Sequence, residues 1–227
     1  MKIALCFAGQ TRSFRQGDEY YLKNLLSHHN VDVYIHTWAM ELHEQEALID
    51  LYKPKAFLTQ AVPVIDGIDT YTNTPNAHRF PARNTWLQFY SIYQCSKLLV
   101  EEYDWVIRSR TDFALNFQIL FDQLDNNKLY IPDDHQTPGK DFGNDQFAFS
   151  SQNNMIKYMA TFSKIDEYYS HGNMFIGEHL LSANLRHHGL VGDKLVYVHM
   201  HHPFYGGPHN GGAHSLIRDD IDRWLEA

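Results

Sequence analysis

"YDWVIRSRTDF", residues 103–113, runs from aromatic and aliphatic side chains straight into two arginines and an aspartate. Read as a β-strand, its side chains alternate between faces. Arg108, Arg110 and Asp112 then share one face, and Ser109 and Thr111 share the other. A core strand that ends in three charges must pair them, solvate them or offer them a ligand, because buried unpaired charge is costly. Two guanidinium groups beside one carboxylate leave a positive excess, which favours an anionic ligand at the same spot. The segments on either side decide what kind of sheet this strand enters.

Upstream, "KIALCFA" is a short apolar run bounded by Gly9 and predicts a buried strand. "QGDEYYLKNLLSHH" has apolar residues at helical spacing, "VDVYIHTW" alternates and is β-branched, and "MELHEQEALIDLY" is helical with Pro54 as a stop. "KAFLTQ" completes a third strand. Strand alternating with helix is the pattern of a parallel α/β sheet with crossover helices. Residues 61–83 lose periodicity and read as a long loop. "NTWLQFYSIYQCSKLLVEEY" then resumes as a helix, with Asn84 as its expected N-cap.

Downstream, "KLYIP" and "QFAFSS" read as strands separated by the polar "DDHQTPGKDFGND". "SQNNMIKYMATFSKIDEYY" and "GEHLLSANLRHHG" read as helices, "KLVYVHM" as a late strand and "SLIRDDIDRWLEA" as a closing amphipathic helix. No repeat or linker interrupts the chain. The expectation is one α/β domain over residues 1–227: a doubly wound, mostly parallel half (1–112) and a mixed half (113–227) whose Gly-rich "YGGPHNGGAH" reads as a closing lid.

Composition narrows the function classes. A net charge of −8 leaves no basic excess for coating nucleic acid, though it leaves room for a local basic pocket. No segment approaches the ~18 apolar residues that cross a membrane, and "IALCFAG" is too short for a signal-peptide core. Cys6 and Cys95 lie in apolar stretches without metal or redox spacing, which fits buried thiols in a cytoplasmic setting.

Candidate residues gather where an α/β sheet binds ligands, beyond the carboxyl ends of its strands. The turn "AGQTRSF" lacks the dinucleotide fingerprint. Gly9 supplies backbone freedom, Arg12 and Arg15 are candidate phosphate contacts, and Gln10 or Thr11 could bond a base or ribose. His36 ends the second strand, and Gln88, Ser91 and Lys97 lie on the following long helix. Asp112 could hold a divalent cation whose other ligands include phosphate. Asp145 and Glu178 are alternative general bases, although an acid in a first helical turn also has a purely structural rationale. His199 and His201 share one strand face and are candidate metal ligands.

"MKIALCFAGQTRSF", "DVYIHTW", "YDWVIRSRTD" and "NDQFAFSS", in that order, resemble GT-A glycosyltransferases of the lipopolysaccharide-synthesis (WavE-like) type and small glycosyltransferases of large algal viruses. The resemblance implies a Rossmann-like sheet binding a nucleoside-diphosphate sugar, UDP-sugar favoured, in the N-terminal half. It places a saccharide or lipid-linked saccharide acceptor over the C-terminal half. Asp112 would match the last acid of the family's D-x-D motif, which holds Mn²⁺ or Mg²⁺ on the donor diphosphate. Arg110 stands where the first acid would be, so Arg110 could itself neutralise the diphosphate. His199, or else His201, would be the C-terminal metal ligand. Glu178 resembles the base of inverting members, with Asp145 the alternative. Two rival readings are a metal-dependent phosphohydrolase or nucleotidyltransferase, and a non-catalytic carbohydrate-binding domain resting on Trp38, Trp86 and tyrosines.

Overall fold

The structure, a computed structural model, describes residues 1–72, 81–132 and 144–198. The chain opens with β1 (Ile3–Ala8), then α1 (Phe14–Tyr21), extended by a π-helical turn over Leu22–Leu26. β2 (Val31–Trp38), α2 (Leu42–Tyr52) and β3 (Ala56–Gln60) follow. Lys53 closes α2 in a left-handed conformation (φ 44°) just before Pro54, the expected stop. α3 runs from Ala82 to Ser96 and leads into β4 (Trp105–Ser109). After β5 (Leu129–Pro132) and β6 (Ala148–Ser150) come α4 (Gln152–Met159), a 3-10 turn, α5 (Ile165–Ser170), α6 (Gly177–His187) and β7 (Leu195–Val198).

Among the described residues the strands form one seven-stranded sheet in the order β3-β2-β1-β4-β6-β5-β7. β1 pairs in parallel with β2 and β4, and β2 with β3. β6 runs antiparallel to both β4 and β5, and β7 is parallel to β5. The first four strands therefore make the parallel half that strand–helix alternation predicts, and the later strands make a mixed one. β1 and β4 are buried along their whole length, as central strands covered on both faces must be. α3, α4 and α6 cover one face, where Cys6, Tyr34 and Val106 meet Phe89, Met155 and Leu181. α1, α2 and the segment 113–121 cover the other, where Leu5, Ile35 and Ile107 meet Tyr21, Leu48 and Phe113.

Two local expectations are corrected. α3 begins two residues before Asn84, with Pro81 at the N-cap position, its carbonyl accepting from the backbone N–H groups of Asn84 and Thr85. β4 stops at Ser109 instead of carrying through Asp112, because the chain turns and the Phe113 N–H donates back to the Arg110 carbonyl. Among the described residues no helix is long and apolar enough to cross a membrane.

Candidate functional site

Because β1 leads outward to β2 and β3 before the chain crosses back to β4, the order of connection reverses between β1 and β4. In open α/β sheets the crevice beyond the carboxyl ends of the strands at such a point is where ligands bind. The β1–α1 turn supplies one wall. Gly9 sits at φ 114°, a conformation that suits glycine, and Ser13 holds φ 48° without being glycine. A non-glycine residue held left-handed costs roughly 1–3 kcal/mol and is found disproportionately at functional sites. Gln10 and Arg12 are exposed on this turn, and the Thr111 hydroxyl donates to the Gln10 carbonyl at 3.4 Å, tying the β1 and β4 loops together.

The β4 loop supplies the charges. Arg108, the last-but-one residue of β4, is fully buried on the α3 side, and its Nη1 donates to the Asp145 carbonyl. Its Nε and Nη2 have no hydrogen-bond partner among the described residues. Burial lowers the Arg108 pKa below the usual arginine range, against the favourable fields of Tyr158 and Asp145. Arg110 lies beyond the strand end and grips Asp112 side-on, Nε to Oδ1 at 2.7 Å and Nη2 to Oδ2 at 2.6 Å. The Asp112 side chain is 0% exposed and that of Arg110 19% exposed, so of the pair only Arg110 meets solvent. The Tyr21 hydroxyl, reaching from the end of α1, bonds Ser109 Oγ and donates to the Arg110 carbonyl. That clamp fixes where the strand ends.

The third part comes from the other half of the chain. Asp145 lies in a bend just ahead of β6, at the end of the polar segment, and β6 starts at the same edge because it is antiparallel to β4. Its carbonyl also accepts from Gln88 Nε2 at 3.5 Å. Its carboxyl packs against Gly177, the first residue of α6: a Cβ there would lie 3.0 Å from Asp145 Cγ and closer still to Oδ2. Burial pushes the Asp145 carboxyl up, opposed by the nearby positive charges of Arg108 and Arg110. Glu178 follows Gly177 in the first turn of α6, so the two candidate bases belong to one junction.

Gly9, Gln10, Gln88, Arg108, Arg110, Asp112, Asp145 and Glu178 thus contribute to one end of the sheet, with Arg12 on the exposed rim. His36 is a correction. It is 0% exposed, its Nδ1 is 2.7 Å from Ser91 Oγ, and burial lowers its pKa, so it packs in the core and is not presented to a ligand. Beside it Trp38 stacks on Tyr90, and Tyr90 on Trp86. Sequence reasoning missed Tyr21 and Gly177. Tyr21 sits at core spacing like any packing aromatic, and only its partner across the fold reveals the polar task of its hydroxyl.

A divalent cation at Asp112 does not fit this arrangement. Both carboxylate oxygens face Arg110, and a metal would have to displace that guanidinium from a fully buried acid. Among the described residues no three His, Cys, Asp or Glu side chains come together as a cation site. His199 and His201, the Gly-rich segment and the closing helix lie outside the described residues. The chain matches no protein-family model and no curated protein.

Proposed function

We propose that this chain is a GT-A-type glycosyltransferase that moves a sugar from a nucleoside diphosphate, UDP favoured, to a saccharide acceptor. The carrying observation is the guanidinium pair at the β1/β4 switch point: Arg110 is aimed by a buried carboxylate and backed by the fully buried Arg108. The ordered resemblance and a parallel half followed by a mixed half support the same reading.

Cleaving a sugar–phosphate bond builds negative charge on the departing nucleoside diphosphate. Positive groups already fixed against that charge stabilise the transition state without reorganising. Arg110 and Arg108 would fill this role, while Gln10 and Arg12 on the β1 turn would hold the rest of the nucleotide. In an inverting transfer, a carboxylate across the sugar takes the acceptor's hydroxyl proton. Asp145 suits that task by its place at the junction of the β6 bend and α6, and burial raises its pKa above the ordinary carboxylate value, which makes it the stronger base once ionised. Glu178, one residue beyond Gly177, is the alternative.

Thermal melting with UDP-, GDP- and dTDP-sugars tests the reading, since a ligand of the native state raises the melting point by mass action. One nucleotide sugar is expected to raise it by several degrees, and Arg110→Gln to abolish that rise. Absence of any shift at millimolar nucleotide would remove the transferase reading.

A further inference from the structure

In the motif this chain resembles, the acid of the β4 loop holds a cation. Here Asp112 has no exposed surface, and its two oxygens are spent on Nε and Nη2 of Arg110. Among the described residues those two nitrogens are the only Arg110 donors seen to be engaged, and the Arg110 side chain keeps 19% of its surface exposed. A guanidinium held flat by a side-on carboxylate is pre-aimed, so little rotamer entropy is lost when its free edge meets a second oxyanion. Behind it, Arg108 adds a second positive charge whose Nε and Nη2 are unpartnered although fully buried. Among the described residues Arg110 and Asp112 offset each other, and burial raises the pKa of Asp145, the acid set near Arg108, so the Arg108 charge is incompletely balanced and an anionic group improves the balance of the cluster. A divalent ion worsens it, because it would sit beside two guanidinium groups.

We infer that Asp112 holds a guanidinium in place of a metal, and that the donor diphosphate is received by the free edge of Arg110, backed by Arg108, without a divalent cation. This rests on the nucleotide-sugar reading and deepens it: the charge that the family's metal would supply comes from two side chains of β4 and its loop.

The test is calorimetric titration of the whole chain with inorganic pyrophosphate and with UDP, after metal removal by EDTA and again with added Mn²⁺. Binding is expected in EDTA, with Mn²⁺ changing the affinity less than threefold. Arg110→Lys keeps the charge but loses the fork and should bind about tenfold more weakly. The double variant Arg110→Gln/Asp112→Asn removes both charges, leaving neither buried alone. It should keep the wild-type circular dichroism and bind about 10- to 100-fold more weakly, as for loss of one or two charge-assisted hydrogen bonds. Binding that appears only with Mn²⁺ overturns the inference and leaves the nucleotide-sugar reading standing. Binding by a folded double variant at wild-type affinity overturns it as well. If neither UDP nor pyrophosphate binds under either condition, the nucleotide-sugar reading fails and the inference falls with it.

Discussion

At the scale of single residues, Asp145 is the group whose chemistry depends most on its surroundings. Its carboxyl lies against the first residue of α6 and near two guanidinium groups, and burial still wins, raising its pKa above the ordinary value of 3.8. The folded chain therefore holds a proton there that the unfolded chain has already released. Stability from this group is complete below about pH 4 and is lost as pH rises through the folded value. Asp145→Asn has no such dependence, so melting curves from pH 4 to pH 8 should show the variant gaining on the wild type as pH rises. A constant gap would mean that Asp145 is ionised throughout. Nothing in "GNDQF" announces this. The acid was legible as a candidate, but its neighbours Arg108 and Gly177 are 37 and 32 positions away in sequence (145 − 108; 177 − 145).

At the scale of elements, two helices approach the site through glycine. Gly17 of α1 sits against the β4 loop, where a Cβ would lie 3.2 Å from the Thr111 carbonyl carbon and closer to its oxygen. Neither partner is the end of a flexible side chain, so the helix or the loop must move. Gly17→Ala should cost about 1–3 kcal/mol, the usual range for overpacking, and should weaken pyrophosphate binding by disturbing Arg110. Gly189→Ala is the control: φ there is +64° with open space around it, so about 1 kcal/mol of backbone strain is expected and no change in binding. Urea denaturation and the calorimetric titration together separate the two, and equal effects on both readouts would remove the packing argument. The strands were legible because apolar runs and alternation are local signals. The end of β4 was not, because the Tyr21 hydroxyl that holds Ser109 and the Arg110 carbonyl comes from α1. The start of α3 was misplaced for a related reason: Asn84 has the chemistry of a cap, but the backbone turns helical after Pro81.

At the scale of the whole molecule, the sheet is unevenly protected. β1 and β4 are buried throughout at its centre, whereas β3 at one edge is half-exposed along its length and β7 at the other is buried only at Leu195. Opening the centre exposes apolar surface on both faces, while the edges can fray alone. Native-state hydrogen exchange should therefore find the β1 and β4 amides slowest, near the limit of global unfolding, with β3 and β7 faster. Equal protection of β3 and β1 would contradict this order. The rigid centre carries Arg108 itself, so the cationic site is anchored in the part of the fold that opens last.

The stacked rings at the end of β2 bear on how the protein can be studied. Trp38 and Tyr90 lie with centroids 5.9 Å apart, Tyr90 and Trp86 5.0 Å apart, all beside the rim to which the parallel strands point. Trp105 starts β4 at the opposite end, packed among Phe121, Tyr130 and Phe149. Among the described residues two indoles lie near that rim and one is remote from it; with Trp224, outside the described residues, replaced by Phe, the chain would carry an optical sensor with its own internal reference: occupancy would perturb the ultraviolet emission of the first pair and spare the third.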